Sequence, residues 1–185
     1  MRAHGRYSGG GIGVLDTFDP LFSVVLPPGS YLREDLALGS TTLTQAVPEF
    51  EFLAFKDPQG FLDPCEIAAG RYEIAPGADA VVEYFRQLDG FTVDTVSELE
   101  VDGHRAVRLV LHANPDAPCA RLAQWQPKAA ATDQHWFLRP GDTDSLVIVE
   151  LADATVMFEV LPAPHVEEDA VISSIRLLEE LPTSP

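Results

Sequence analysis

The chain has 185 residues, of which 29 are acidic and 12 are basic, so its formal net charge is −17. A field of that sign repels nucleic-acid phosphates and anionic lipid headgroups, which excludes nucleic-acid binding and electrostatic docking on a membrane. Apolar residues make up 46% of the chain, enough to build a core. No apolar run approaches the ~20 residues that a membrane-spanning helix needs.

The first twenty residues predict a flexible lead-in. Met1–Gly13 contains Arg2 and Arg6 but no apolar segment, so it lacks the pattern of a secretory signal. The run Gly9-Gly10-Gly11 favours a flexible chain. We therefore expect a lead-in over residues 1–20, a single α+β domain over residues 21–180 and a frayed tail over residues 181–185.

The first part of this domain predicts short strands separated by turns. Phe22–Leu26 precedes two prolines and a glycine, and proline ends a strand because it cannot donate to the hydrogen-bond ladder. Phe50–Phe55 alternates as a strand does, and Lys56–Gly60 has the residues of a turn. Further short strands are predicted at Tyr31–Leu36, Thr41–Thr44 and Arg71–Ile74.

A helix and a hairpin are predicted next. Apolar residues recur at helical spacing over Pro76–Leu88, and Asp89-Gly90 ends this helix with glycine at the left-handed cap position. Asp102-Gly103 is a signal for a two-residue turn. It lies between two alternating arms, Thr92–Val101 and Arg105–His112.

The last third predicts more strands and a closing helix. Arg121–Thr132 is rich in Ala and Gln and is interpreted as a loop or a short helix, and His135–Leu138 as a strand. Leu146–Leu151 and Thr155–Leu161 form a second hairpin. Val166–Leu178 is a helix whose first turn is acidic, as the helix dipole favours. Because hairpins imply antiparallel pairing, the predicted fold class is α+β, with a single antiparallel β-sheet of about six strands packed against two main helices.

Cys65 and Cys119 are the two cysteines of the chain, and each directly follows a proline in a loop-like stretch. The even count favours one disulfide, which implies an oxidising compartment. Two free buried thiols, or a reactive or metal-bound pair, are the alternatives. Neither thiol has the closely spaced Cys or His partners of a zinc site.

Four features in sequence order resemble a known fold. They are Asp63-Pro64-Cys65, the helix at Ala78–Leu88 followed by Phe91-Thr92-Val93, the turn Val101-Asp102-Gly103-His104, and Ile172-Ser173-Ser174-Ile175. Over residues 22–178 the chain resembles the PsbP-like fold, an antiparallel sheet flanked by helices. It is more closely similar to extracytoplasmic domains of high-GC Gram-positive bacteria, including the LpqN-type lipoproteins.

The resemblance implies a PsbP-like sandwich, a location at the cell envelope and an accessory, chaperone-like or binding role without a reaction. This sequence departs from the lipoproteins because it shows no lipobox cysteine. A cytoplasmic location is therefore the alternative.

Three side chains are candidates for a pocket. His112 ends a predicted strand near Cys119 in sequence, and His135 lies beside Trp136. Partly buried strand histidines are the structural alternative. The sequence contains no His-x-His or His-Glu-x-x-His pattern and no Gly-x-Ser-x-Gly pattern, so we predict no catalytic residue, no cofactor and no metal site.

Three functions are compatible with these observations. The first is an envelope-associated binding or accessory module that contacts another protein or a small lipid or sugar. The second, suggested by the charge of −17, is a cytoplasmic chaperone-like or immunity-type protein that binds a basic protein partner. The third, ranked last, is an enzyme that uses His112, His135 or the acidic loops.

Overall fold

Short β-strands make up most of the residues that the structure describes, and many of them alternate apolar and polar residues. The computed structural model describes residues 6–8, 12–15, 21–25, 31–33, 37–40, 50–127, 136–161 and 167–178. The strands in these stretches are β1 (Arg6–Ser8), β2 (Ile12–Leu15), β3 (Leu21–Val25), β4 (Tyr31–Arg33), β5 (Ala37–Ser40), β6 (Phe50–Lys56), β7 (Pro58–Phe61), β8 (Arg71–Tyr72), β9 (Phe91–Val101), β10 (His104–Ala113), β11 (Leu122–Pro127), β12 (Trp136–Leu138), β13 (Thr143–Glu150), β14 (Thr155–Leu161) and β15 (Arg176–Leu178). The helices of the same stretches are α1 (Ala78–Gln87), α2 (Glu168–Ser173) and a 3-10 turn at Ile67–Ala69.

The predicted helix and hairpin in the middle of the chain are both present. The helix α1 buries the face that carries Val81 and Phe85, and it packs on β10 and β13. Asp102 and Gly103 have φ values of 51° and 82°, as the mirror-image hairpin turn requires. Here local sequence signals and tertiary packing favour the same structure.

The strands form three sheets within the described part of the chain. Their strand orders are β1-β2-β3-β15, then β4-β5-β6-β14-β13-β10-β9, then β12-β11-β7-β8. The pairs β10–β13, β11–β12 and β3–β15 run antiparallel. The prediction of an α+β domain with a single sheet of about six strands and two main helices is therefore wrong, because the described chain is mostly strand and divides among three sheets.

One source of this error is β11, which was expected to be a loop or a short helix. Residues 122–126 are all buried, so neither face of the strand is exposed, and the buried residues include the polar Gln124 and Gln126. A strand buried on both faces gives no alternating pattern, and its sequence resembles that of a loop or helix. In the structure β11 lies between β12 and β7 and completes the third sheet.

A second source is the closing helix, which is shorter than predicted. The helix α2 ends at Ser173, and Arg176–Leu178 pairs with β3 instead. Ser173 Oγ and Ser174 Oγ donate to the carbonyls of Ala170 and Val171, a local bond that competes with helix continuation. Ser174 Oγ also accepts from the backbone N–H of Val25 at 2.9 Å.

Contacts divide the chain into two compact units. The first comprises residues 1–54, 101–103 and 159–185, and the second comprises residues 55–100 and 104–158. In the first unit, described core side chains include Phe22 and Val24 of β3 and Ile175 after α2. In the second, they include Leu109 and Ile148, on the sheet strands that α1 covers.

The predicted lead-in over residues 1–20 contains two of the strands, β1 and β2. They pair antiparallel, and β2 also pairs with β3. The boundaries at residues 20 and 180 stay predictions.

Tyr84 connects three elements of the second unit. Its hydroxyl accepts from the backbone N–H of Phe61 at 2.9 Å and donates to the backbone carbonyl of Gln124 at 2.8 Å. Its ring stacks on Tyr72 with centroids 5.4 Å apart. Burial raises the pKa of the Tyr84 hydroxyl, so the folded chain holds it in its neutral, donating form.

Replacing Tyr84 with Phe should destabilise the protein by about 1–3 kcal/mol, because two buried backbone groups lose their partner. The measurement is the free energy of unfolding in urea. Tyr72→Phe is the matched control, since the Tyr72 side chain is 41% exposed, and it should change stability by less than about 0.5 kcal/mol. Equal losses in the two variants would contradict this role of Tyr84.

The difference in stability between the parent chain and Tyr84→Phe depends on pH. The Tyr84 pKa is raised above its ordinary value of 10.0, so its stabilising contribution is complete below pH 10 and decreases as pH rises above that value. Stability should therefore fall less steeply above pH 10 in Tyr84→Phe than in the parent chain.

Gly60 is required by the position of the Tyr84 ring. A Cβ atom at residue 60 would lie 2.3 Å from ring carbons of Tyr84. The ring cannot move away freely because its hydroxyl is held by two backbone groups. We expect Gly60→Ala to destabilise the protein by about 1–3 kcal/mol in the same unfolding measurement.

The comparison variant for this substitution is Ala78→Gly, which also exchanges one methyl group at a buried position. It should cost about 1 kcal/mol, because it removes a buried methyl group and frees the backbone at the first residue of α1, and it should leave Tyr84 in place. If Gly60→Ala were neutral, the ring of Tyr84 would have to be mobile.

Candidate functional site

A cavity of about 310 Å³ lies in the second unit, within the size range of ligand sites. Three chain segments enclose it: the turn between β6 and β7, the stretch between β8 and α1, and the turn between β13 and β14. Each segment contributes one carboxylate. These are Asp57, Glu73 and Asp153.

Thr155 fixes the position of Asp57 at this cavity. The N–H of Asp57 donates to the carbonyl of Thr155 at 2.7 Å, and the N–H of Thr155 donates to Asp57 Oδ1 at 3.0 Å. Asp57 has φ 48°, in the left-handed region that Asp tolerates better than most residues. The pair holds the carboxylate of Asp57 in one place before any ligand arrives.

The N-terminal end of α1 adjoins the same cavity, and its first donors are already satisfied. Thr155 Oγ1 accepts from the N–H of Gly77 at 2.7 Å, and Glu150 Oε1 accepts from the N–H of Ala78 at 2.9 Å. Free N–H groups at a helix start bind anions. Because these two N–H groups already donate to side-chain oxygens, they are not available to an anion. The three carboxylates on the lining disfavour an anion as well.

The remainder of the lining combines apolar groups with one amide. The apolar part is formed by Pro58, Ile74, Ala75, Pro76 and Val81, and Gln59 lies among them. The amide of Gln59 lies 3.1 Å from the buried amide of Gln126, and Arg71 Nη1 donates to Gln59 Oε1 at 3.4 Å. The guanidinium of Arg71 therefore reaches the same wall through Gln59.

A separate acidic cluster on the second unit surrounds one arginine. Arg105 lies 2.9 Å from Glu98, 3.0 Å from Asp79 and 2.8 Å from Glu150. Hydrogen bonds to Glu98, and then to Asp79 and Glu150, raise the pKa of the Arg105 guanidinium. These carboxylates therefore join β9, α1 and β13 through Arg105.

The structure places His112 away from this cavity. His112 Nδ1 is 2.8 Å from Thr143 Oγ1, and Nε2 is 3.5 Å from Asp94 Oδ2. His135 and the side chain of Trp136 lie outside the described residues, while the backbone of Trp136 pairs with Trp125 in β12–β11. The pocket predicted from His112, His135 and Trp136 stays a prediction.

The carboxylates at the cavity were missed by the sequence analysis. Asp57 was interpreted as an ordinary turn residue, and Glu73 and Asp153 were given no role. They are separated by tens of residues and come together through the pairing of distant strands. Glu73 lay inside the predicted strand Arg71–Ile74 and the other two lay in predicted turns, so no local signal marked the three as a group.

The predicted disulfide is confirmed, with Cys65 joined to Cys119 across a sequence separation of 54. Each cysteine follows a turn built by a side chain: Asp63 Oδ1 accepts from the N–H of Cys65 at 2.8 Å, and Asn114 Oδ1 accepts from the N–H of Asp116 at 2.9 Å. Such turns are common where Asp or Asn precedes Pro.

The part of the chain that the structure describes contains neither a cluster of metal ligands nor a membrane-spanning helix. In that part, no three His, Cys, Asp or Glu side chains are grouped as metal ligands. Nor does any helix there have the length and apolar character needed to cross a bilayer.

Comparisons with known proteins return little sequence similarity. No family model and no curated protein matches the chain. Among solved structures, the solution structure of cyanobacterial PsbP (CyanoP) from Synechocystis sp. PCC 6803 matches with 10% sequence identity and a TM-score of 0.43, covering 95% of this chain and 99% of that chain. PsbP is the family whose fold the sequence resembles, and the similarity to LpqN-type lipoproteins stays a prediction. A TM-score of 0.43 supports no inference about the function of this chain.

Removing the disulfide should lower stability substantially. Cys65→Ser combined with Cys119→Ser is expected to reduce the free energy of unfolding by about 4 kcal/mol, because the unfolded chain regains the entropy of an open loop. Urea unfolding measures this loss. Denatured protein purified without reductant should yield no free thiol, and two reactive thiols per chain would contradict the bond.

Proposed function

We propose that the chain is a non-catalytic binding module that recognises a basic segment of another protein. The observation that carries the proposal is the cavity in which Asp57, Glu73 and Asp153 converge from three turns. Carboxylates bind ammonium and guanidinium groups through charge-assisted hydrogen bonds. The remaining lining is largely apolar, which suits the aliphatic part of a basic side chain.

The hydrogen bonding of the Thr155 hydroxyl at the cavity favours binding over catalysis. Thr155 is 2% exposed, and its Oγ1 accepts from the N–H of Gly77. A backbone N–H cannot remove the proton of that hydroxyl, whereas a catalytic nucleophile needs a neighbouring base. The carboxylates therefore supply recognition in this proposal.

The charge of the whole chain supports the same class of partner. A formal net charge of −17 raises the local concentration of basic molecules and accelerates their association. The carboxylates of the cavity then provide a defined position at which one basic group can bind. A second acidic chain is disfavoured as a partner for the same reason.

The disulfide supports an oxidising compartment, since cytosolic thiols are normally kept reduced. We therefore propose that this module acts outside the cytoplasm, at the cell envelope. In the sequence analysis, a basic protein partner was part of the alternative function, a cytoplasmic chaperone-like or immunity-type protein. The present proposal takes the partner from that alternative and the location from the envelope-associated function. The proposed location and the proposed partner are independent, because the location rests on the cysteines and the partner rests on the cavity.

The test of the binding function uses fluorescein-labelled hexalysine and fluorescence anisotropy. Hexalysine should bind at low ionic strength and weaken steeply between about 50 and 300 mM NaCl, because salt screens exposed charges. Hexaglutamate and hexaserine should not bind under the same conditions. Equal binding of the three peptides, or hexalysine binding that ignores salt, would refute the proposal.

A further inference from the structure

We propose that the cavity accepts a single lysine side chain of the basic partner, with its ammonium group at Asp57 and its methylene stem on the apolar wall. The inference rests on the proposed function and names the side chain that the cavity selects. It predicts that this protein distinguishes basic residues by the length of their stem as well as by charge.

The apolar wall is suited to an aliphatic stem. Ala75 and Pro76 are exposed and Ile74 is half-buried, so these three residues offer accessible apolar surface on the lining, whereas Val81 is fully buried. Lysine buries its methylene groups along apolar surfaces while its charge remains with polar partners. Each methylene removed from water contributes about 0.8 kcal/mol, which corresponds to about fourfold in affinity.

Asp57 is suited to an ammonium group more than to a guanidinium. One of its carboxylate oxygens, Oδ1, already accepts from the N–H of Thr155 at 3.0 Å. Arginine prefers both oxygens of a carboxylate in a planar fork, whereas lysine acts as a compact point charge. A carboxylate accepts about four hydrogen bonds, so Asp57 retains acceptor capacity for an ammonium.

Glu73 and Asp153 differ from Asp57 because both are exposed. Both line the cavity, and in this proposal their negative charge attracts the ammonium group as it enters. Their neutralisation should weaken binding without removing the wall that contacts the stem. This separates the charge component of recognition from the stem component.

The first experiment compares hexalysine with hexaornithine, which carries the same charge on stems shorter by one methylene. Fluorescence anisotropy at low salt should give an affinity about fourfold weaker for hexaornithine. Ala75→Phe fills the cavity without changing charge and should reduce this ratio to about one. Ala68→Phe is the matched control, because Ala68 is exposed and lies outside the cavity, and it should preserve the fourfold ratio.

The second experiment compares two double variants of equal charge. Glu73→Gln with Asp153→Asn should weaken hexalysine binding about tenfold, because both carboxylates line the cavity. Glu83→Gln with Asp89→Asn removes two exposed carboxylates elsewhere and should change affinity less than about twofold. Urea unfolding of all variants confirms that each is folded.

The outcomes separate this inference from the proposed function. If hexalysine binds but the stem length, Ala75→Phe and the cavity carboxylates have no effect, binding is diffuse attraction and the lysine cavity is refuted while the basic-partner function stands. If hexalysine does not bind the parent chain at low salt, both are refuted. A preference for hexaarginine over hexalysine that Ala75→Phe abolishes would overturn the choice of lysine.

Discussion

The backbone and hydroxyl of Thr155 hold together the part of the molecule from which the function is inferred. Its N–H and carbonyl engage Asp57, and its Oγ1 engages the N–H of Gly77 immediately before α1. Three segments that are far apart in sequence thereby meet at one buried residue. Without this junction, the turn that presents Asp57 and the start of α1 would have no fixed relation, and the cavity between them would lose its shape.

Tyr84 performs a comparable role at another place in the same unit. Its hydroxyl satisfies backbone groups of Phe61 and Gln124, while Gly60 provides the space for its ring. Both junctions use a side-chain oxygen to satisfy backbone groups at strand or helix ends. A buried backbone group without a partner is costly, so such junctions restrict how the connecting segments can be arranged.

The sequence predicts those parts of the structure whose signals are local. The hairpin at Asp102-Gly103, the helix α1 and the Cys65–Cys119 bond follow from turn residues, periodicity and cysteine count. It fails at β11, where burial on both faces removes the alternating pattern, and therefore at the number of sheets. The cavity was not predictable by the same reasoning, because its carboxylates meet through strand pairing between distant segments.

The distribution of charge explains why a strongly acidic total does not by itself identify a site. Arg105 engages Glu98, Asp79 and Glu150, so those carboxylates are committed to joining β9, α1 and β13. At the cavity, Asp57, Glu73 and Asp153 lie on the same lining as apolar residues such as Ile74 and Ala75. Acidic side chains grouped around an arginine stabilise the fold, whereas acidic side chains beside an apolar wall favour a cation with an aliphatic stem. Specific recognition thus depends on where the acidic groups lie relative to basic and apolar neighbours, and the total charge governs the rate of encounter.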